Sequence, residues 1–106
     1  MKSISSTELK SWIDSKKDFQ LIDVRESDEL EICSLSQAHH IALGTVPQHL
    51  DAIATDKPVV FMCRSGKRSS NALFFAQEQI QNGDFYNLDG GILGWISSVD
   101  SSMTPY

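Results

Sequence analysis

A cysteine followed by a run of cations is the densest concentration of chemistry in the chain. Cys63-Arg64-Ser65-Gly66-Lys67-Arg68-Ser69 holds three bases and no acid. It follows directly on Pro58-Val59-Val60-Phe61-Met62, whose continuous apolar run predicts a strand covered on both faces. A helical pattern comes next, from about Ser69 to Asn82, with Ala72, Leu73, Ala76 and Ile80 on one stripe and Gly83 as a left-handed stop. The segment therefore reads as a tight loop from a strand end to a helix start. Three effects converge there on the Cys63 thiol. A helix N-terminus presents unpaired N–H groups and partial positive charge. A curled loop points successive amides inward as an anion nest. Arg64, Lys67 and Arg68 add full charges. Each effect favours thiolate, so Cys63 should titrate below the free value of about 8.5. Gly66 supplies the backbone freedom for the curl. Such a cradle suits a small anion beside a nucleophile: thiosulfate, a persulfide, phosphate or arsenate. The plainer reading makes Cys63 a small buried hydrophobe ending a core strand. Three cations and a glycine ahead of a helix start favour the functional one.

Other polar residues have plainer roles. Asp23 and Arg25 flank Val24 at another strand end. They either brace the loop at Cys63, pair with its cations, or form a structural ion pair. Cys33 reads as an inward helix position rather than a thiol that resolves an intermediate on Cys63. The two cysteines are expected to be reduced, and their spacing is no zinc pattern. His39 and His40 are adjacent, so on a strand they face opposite ways, and no metal site is expected. The acids from Glu26 to Glu31 read as a solvated helix face, and Trp12 and Trp95 as core. Gly90 and Gly91 read as a tight strand-to-helix turn.

The surrounding elements form an α/β pattern. Phe19 to Val24 is a second strand, with weaker ones at His40–Ala42 and Phe85–Leu88. Ser5 and Glu8 make a capping box ahead of Leu9, Trp12 and Ile13. Short helices are predicted from Asp28 to Cys33, from Pro47 to Ala54, and from Gly91 through Trp95. The polar tail from Ser97 to Tyr106 predicts loose order. Alternating strands and helices in 106 residues give one domain with a small, doubly wound, mainly parallel sheet flanked by helices. Sites in such sheets lie beyond the carboxyl ends of strands, which is where Cys63 falls.

Composition excludes several function classes. Nine Lys and Arg stand against fourteen Asp and Glu, a formal charge of −5. Such a balance does not suit nonspecific nucleic-acid binding or docking to anionic membranes. No signal-peptide pattern or membrane-spanning apolar run is present, so a cytoplasmic protein with reduced thiols is expected.

Three motifs together resemble a single rhodanese-like domain, the sulfurtransferase module. Leu21-Ile22-Asp23-Val24-Arg25-Glu26 looks like the family's first signature. Cys63-Arg64-Ser65-Gly66-Lys67-Arg68-Ser69 looks like its active-site loop. Asn87-Leu88-Asp89-Gly90-Gly91-Ile92-Leu93-Gly94-Trp95 looks like its closing signature. They occur in the family's order, and the resemblance covers nearly the whole chain.

The resemblance implies transfer of sulfane sulfur from thiosulfate or a persulfide donor, through a Cys63 persulfide, to cyanide, a thiol or a carrier protein. It implies Cys63 as nucleophile, Arg64, Ser65, Gly66, Lys67 and Arg68 as anion cradle, no cofactor, and a monomer or weak dimer. Arg64 and Lys67 are the candidates for gripping the donor's oxygens, while Arg68 is also a candidate for closing the loop. An alternative is a non-catalytic or complex-dependent sulfur-relay module. A phosphatase or arsenate reductase of the same fold is disfavoured, because four residues separate Cys63 from Arg68 where such phosphatases have five. One stretch departs from the family. Its usual Gly-His-Ile-Pro-Gly-Ala is here Cys33-Ser34-Leu35-Ser36-Gln37-Ala38, which leaves the conformation of that turn open.

Overall fold

A computed structural model describes all 106 residues, Met1–Tyr106. The elements run β1 (Lys2–Ile4), α1 (Ser6–Asp14), β2 (Gln20–Asp23), α2 (Ser27–Ile32), β3 (Ala38–His40), two 3₁₀ turns (Leu43–Gln48 and Leu50–Ala52), β4 (Pro58–Met62), α3 (Lys67–Gln79), β5 (Asp84–Leu88) and α4 (Gly91–Ser98). The five strands lie in the order β1-β5-β4-β2-β3, and every pairing is parallel. The sheet is thus wholly parallel, and β4, which leads into Cys63, is its centre.

The core follows from strand alternation. Val59 and Phe61 of β4 pack with Ile22, Phe85, and Ala72, Leu73 and Ala76 of α3. Val60 and Met62 face the other way, against Leu9 of α1 and Ile92, Trp95 and Ile96 of α4. Both faces of β4 are covered, which explains its unbroken apolar sequence. The capping box of α1 forms as the sequence predicts: Ser5 Oγ accepts from Glu8 N–H, and the Glu8 carboxylate accepts from Ser5 N–H.

Several local expectations are corrected. The stretch from Pro47 to Ala54 is not one helix but parts of two 3₁₀ turns. Pro47 has no N–H to donate, and the segment closes i to i+3 bonds such as His49 N–H to Val46 O. Helix α3 begins two residues earlier than expected and ends at Gln79, where Ile80 turns extended. Gly83 is not left-handed; the Phe85 ring fills the space a side chain there would need. Strand β1 is an addition to the predicted elements, since its three residues are too few to show a periodic pattern. The tail is not loose: α4 runs to Ser98, and Val99, Met103 and Tyr106 pack on the α1–α4 side of the core.

Asp23 and Arg25 form a fully buried ion pair at the end of β2. Arg25 Nη2 donates to Asp23 Oδ2 at 2.7 Å, and Arg25 Nε bonds both carboxylate oxygens. The same guanidinium donates to Cys33 O at 2.9 Å and to the Tyr106 hydroxyl at 3.0 Å. It therefore fixes the turn after α2, where the sequence leaves the family pattern, and the end of the tail. No helix is long and apolar enough to cross a membrane.

Arg25→Leu would strand a buried carboxylate. Loss of one partner from a buried pair costs about 3–5 kcal/mol. Urea unfolding should show that loss as a lower midpoint with an unchanged slope; an unchanged midpoint would contradict the role given to the pair.

Candidate functional site

Cys63 is the first residue after β4 and is only 1% exposed. Its Sγ accepts from Gly66 N–H at 3.1 Å, from Ser69 N–H at 3.4 Å and from the Ser69 hydroxyl at 3.4 Å. Gly66 sits at the start of α3 with φ +109, a backbone that side chains rarely adopt. The inward curl expected from the sequence is therefore present, and the sulfur is its centre.

The loop carbonyls point away from the sulfur and are held from outside. Ile92 N–H donates to Cys63 O at 2.9 Å and Leu93 N–H to Arg64 O at 3.2 Å. Both donors belong to the first turn of α4, whose free N–H groups need acceptors. Gly91, at φ +58, lets that turn approach: a Cβ there would stand 2.6 Å from Cys63 O. The Asn87 amide donates to Gly66 O at 3.1 Å.

Burial pushes the Cys63 thiol up, but hydrogen bonds from the Ser69 hydroxyl and from the N–H groups of Ser69, Gly66 and Ser65 outweigh it. The net position is below the ordinary thiol value. The direction agrees with the sequence reading, and so do the inward N–H donors among its causes; the Ser69 hydroxyl adds to them, and these donors rather than the neighbouring cations lead.

The cations are mostly engaged elsewhere. Arg68 makes a two-pronged pair with Glu29 of α2, at 2.7 and 2.8 Å. Glu29 also accepts from the Tyr106 hydroxyl at 2.6 Å. It is thus no part of a solvated acidic face, unlike the exposed Glu26, Asp28 and Glu31. The Arg64 guanidinium donates to the main-chain oxygen of Tyr106 and lies 5.1 Å from that ring's centre. Lys67 is exposed and has no ion pair. Ser65 is exposed and contributes its amide.

Asp23 and Arg25 make no hydrogen bond to residues 63–69. Arg25 reaches the loop only in relay, through Tyr106 and Glu29, which in turn hold Arg64 and Arg68. Four residues missing from the expected site therefore matter to it: Ser69, Asn87, Glu29 and Tyr106. Asn87 left one signal, a polar residue between apolar neighbours on a buried strand. Tyr106 left none, since its partners are distant in sequence.

A parallel sheet whose central strand ends in a cysteine at the bottom of an amide-lined loop defines a rhodanese-like module. The family model described as a rhodanese-like domain matches residues 5–98. The "Putative sulfurtransferase YtwF" of Bacillus subtilis is 38% identical over 95 residues, covering 90% of each chain. The "Probable adenylyltransferase/sulfurtransferase MoeZ" of Mycobacterium tuberculosis is 31% identical over 106 residues, and the match spans 98% of this chain but only 27% of that protein. Among solved structures, a rhodanese-like domain protein from Staphylococcus aureus superposes with a TM-score of 0.83 at 26% identity, covering 100% of this chain and 99% of that one. The chain belongs to the rhodanese-like domain family.

Arg68 holds the Glu29 carboxyl down at about 2, with burial opposing and Tyr106 assisting. A depressed folded value gives stabilisation that is complete above the ordinary glutamate range near 4.3 and drains as pH falls through the folded value. The stability gap between wild type and Glu29→Gln should therefore be widest above about pH 5 and close toward about pH 2. Thermal melts across that window check this; a gap independent of pH would contradict the pairing.

Proposed function

We propose that the chain transfers sulfane sulfur through a persulfide on Cys63. The observation that carries the reading is the convergence of two loop N–H groups and the Ser69 hydroxyl on one sulfur, with the loop carbonyls turned outward. In the first half-reaction the Cys63 thiolate attacks the outer sulfur of a donor such as thiosulfate. The donor S–S bond breaks, and sulfite leaves with the electron pair. In the second, an acceptor nucleophile attacks the outer sulfur of the persulfide, and Cys63 leaves as thiolate. Cyanide becomes thiocyanate; a thiolate becomes a persulfide. Splitting the transfer this way is covalent catalysis, so ping-pong kinetics are expected. The inward donors stabilise the thiolate at the start and the end of the cycle. They also suit the negative outer sulfur of the intermediate between.

Phosphate-ester hydrolysis fits less well. It needs an acid to protonate the leaving group. The one carboxylate paired with the loop, Glu29, is locked on Arg68 and held ionised down to about 2.

A second sulfur-transfer reading, relay only within a complex, has its own support. Cys63 is 1% exposed, and Arg64 is occupied by Tyr106. A protein donor or acceptor that displaced Tyr106 would free Arg64 and open the loop.

Treatment with thiosulfate followed by mass spectrometry should show one added sulfur on Cys63, and thiosulfate:cyanide activity should vanish in Cys63→Ser. Equal activity in both forms, or no adduct, would overturn the proposal. An adduct with negligible turnover would select the relay reading. Lys67 is the unpaired loop cation, so Lys67→Ala should raise the thiosulfate KM roughly 3- to 10-fold with a smaller change in kcat. An unchanged KM would remove Lys67 from donor binding.

A further inference from the structure

Asn87 lies on β5, 5% exposed, with a different neighbour on each side of its amide. Gly66 O is a carbonyl and can only accept, so the Asn87 NH₂ must face it, at 3.1 Å. That orientation sets Asn87 Oδ1 against Ser69 Oγ at 2.6 Å. An amide oxygen also only accepts, so in a hydrogen bond between the two Ser69 is the donor. A flipped amide would put two acceptor oxygens face to face at Gly66.

Ser69 has a single hydroxyl proton. Cys63 Sγ lies 3.4 Å from the same Ser69 oxygen, and Ser69 is fully buried. Asn87 and the Cys63 thiolate therefore compete for one proton. The amide oxygen has the shorter contact, and the charge on sulfur is what can draw the proton across.

We propose that Asn87 is a positioning residue that holds the Ser69 hydroxyl proton away from Cys63 and yields it only when the sulfur carries negative charge. The hydroxyl rotates about its Cβ–Oγ bond, and no proton changes owner. Its consequence for catalysis rests on the persulfide reading. In the persulfide, Sγ is bonded to the outer sulfur and is a weak acceptor, so the hydroxyl rests on Asn87. As the acceptor takes the outer sulfur, the S–S bond breaks and its electron pair goes to Sγ. The hydroxyl then swings to the new thiolate. Asn87 thus keeps the attacking thiolate less stabilised than its donors allow.

The charged groups around Cys63 do not duplicate this effect. Arg64, Lys67 and Arg68 belong to the loop and the first turn of α3, and Arg68 is paired with Glu29 of α2. On β2, Asp23 is paired with Arg25. On β5, Asp84 stands at the opposite end of the strand, and α4 carries no charge.

The test is the thiolate titration of Cys63 by ultraviolet absorbance, with the Cys63→Ser form of each protein as blank. Asn87→Ala frees the Ser69 proton for the sulfur. The midpoint should fall by roughly half a pH unit or more, the order of one hydrogen bond. In a Ser69→Ala background the same substitution removes only the bond to Gly66 O, so the downward shift should be absent. Asn87→Asp supplies a stronger acceptor and serves as the second variant should Asn87→Ala not fold. Its upward shift should be larger with Ser69 present than in Ser69→Ala. Shifts that are absent, reversed, or equal in the two backgrounds would overturn the proposal. The titration uses no sulfur donor, so its outcome is independent of whether the chain transfers sulfur.

Discussion

A trans peptide unit carries its N–H and C=O on opposite sides. A loop that aims its amides at one sulfur must therefore drive its carbonyls outward, where burial would leave them unpaired at a cost of about 1–3 kcal/mol each. This constraint organises the C-terminal third of the chain. The first turn of α4 donates to Cys63 O and Arg64 O. Asn87 of β5 donates to Gly66 O, which also accepts from Ser70 N–H. Gly91 is where α4 comes close enough to do so. The closing motif from Asn87 to Trp95 is thus the outer support of the Cys63 loop, folded against it from the other side of β4.

A second layer holds the loop's cations. Asp23, Arg25, Tyr106, Glu29 and Arg68 form one chain of hydrogen bonds from the end of β2 to the first turn of α3. Its innermost pair is fully buried and its outermost is partly buried. The inner part orders the backbone after α2, and the outer part fixes a guanidinium that would otherwise be free to move over the sulfur. Arg68 is held in this way by Glu29, whereas Lys67 is exposed and has no ion pair.

The fold class and the curl of the loop around Cys63 were legible from local signals. The apolar run Pro58–Met62, the stripe at Ala72, Leu73 and Ala76, and the Ser5–Glu8 cap each act within a few residues, and periodicity reports them. Cys63 and Gly66 showed through their position between strand and helix. The partners of the cations did not show. Glu29 and Arg68 are 39 positions apart, and Tyr106 and Arg25 are 81 apart. Nothing short of the three-dimensional fold brings them together. The tail misled for the same reason: its composition is polar, yet Tyr106 is held by Arg25 and Glu29 rather than by neighbours. For Cys63, the direction of the shift and its inward amide donors follow from the strand-to-helix position of the loop, whereas the Ser69 hydroxyl carried no local signal.

In the proposed cycle the loop holds a negative sulfur bonded to Cys63. A crystal structure of the thiosulfate-treated protein tests it most directly. A second sulfur covalently attached to Cys63 Sγ is expected, within hydrogen-bond distance of loop N–H groups between Ser65 and Ser69. A bare or oxygen-modified Cys63, or a sulfur directed away from those amides, would contradict it.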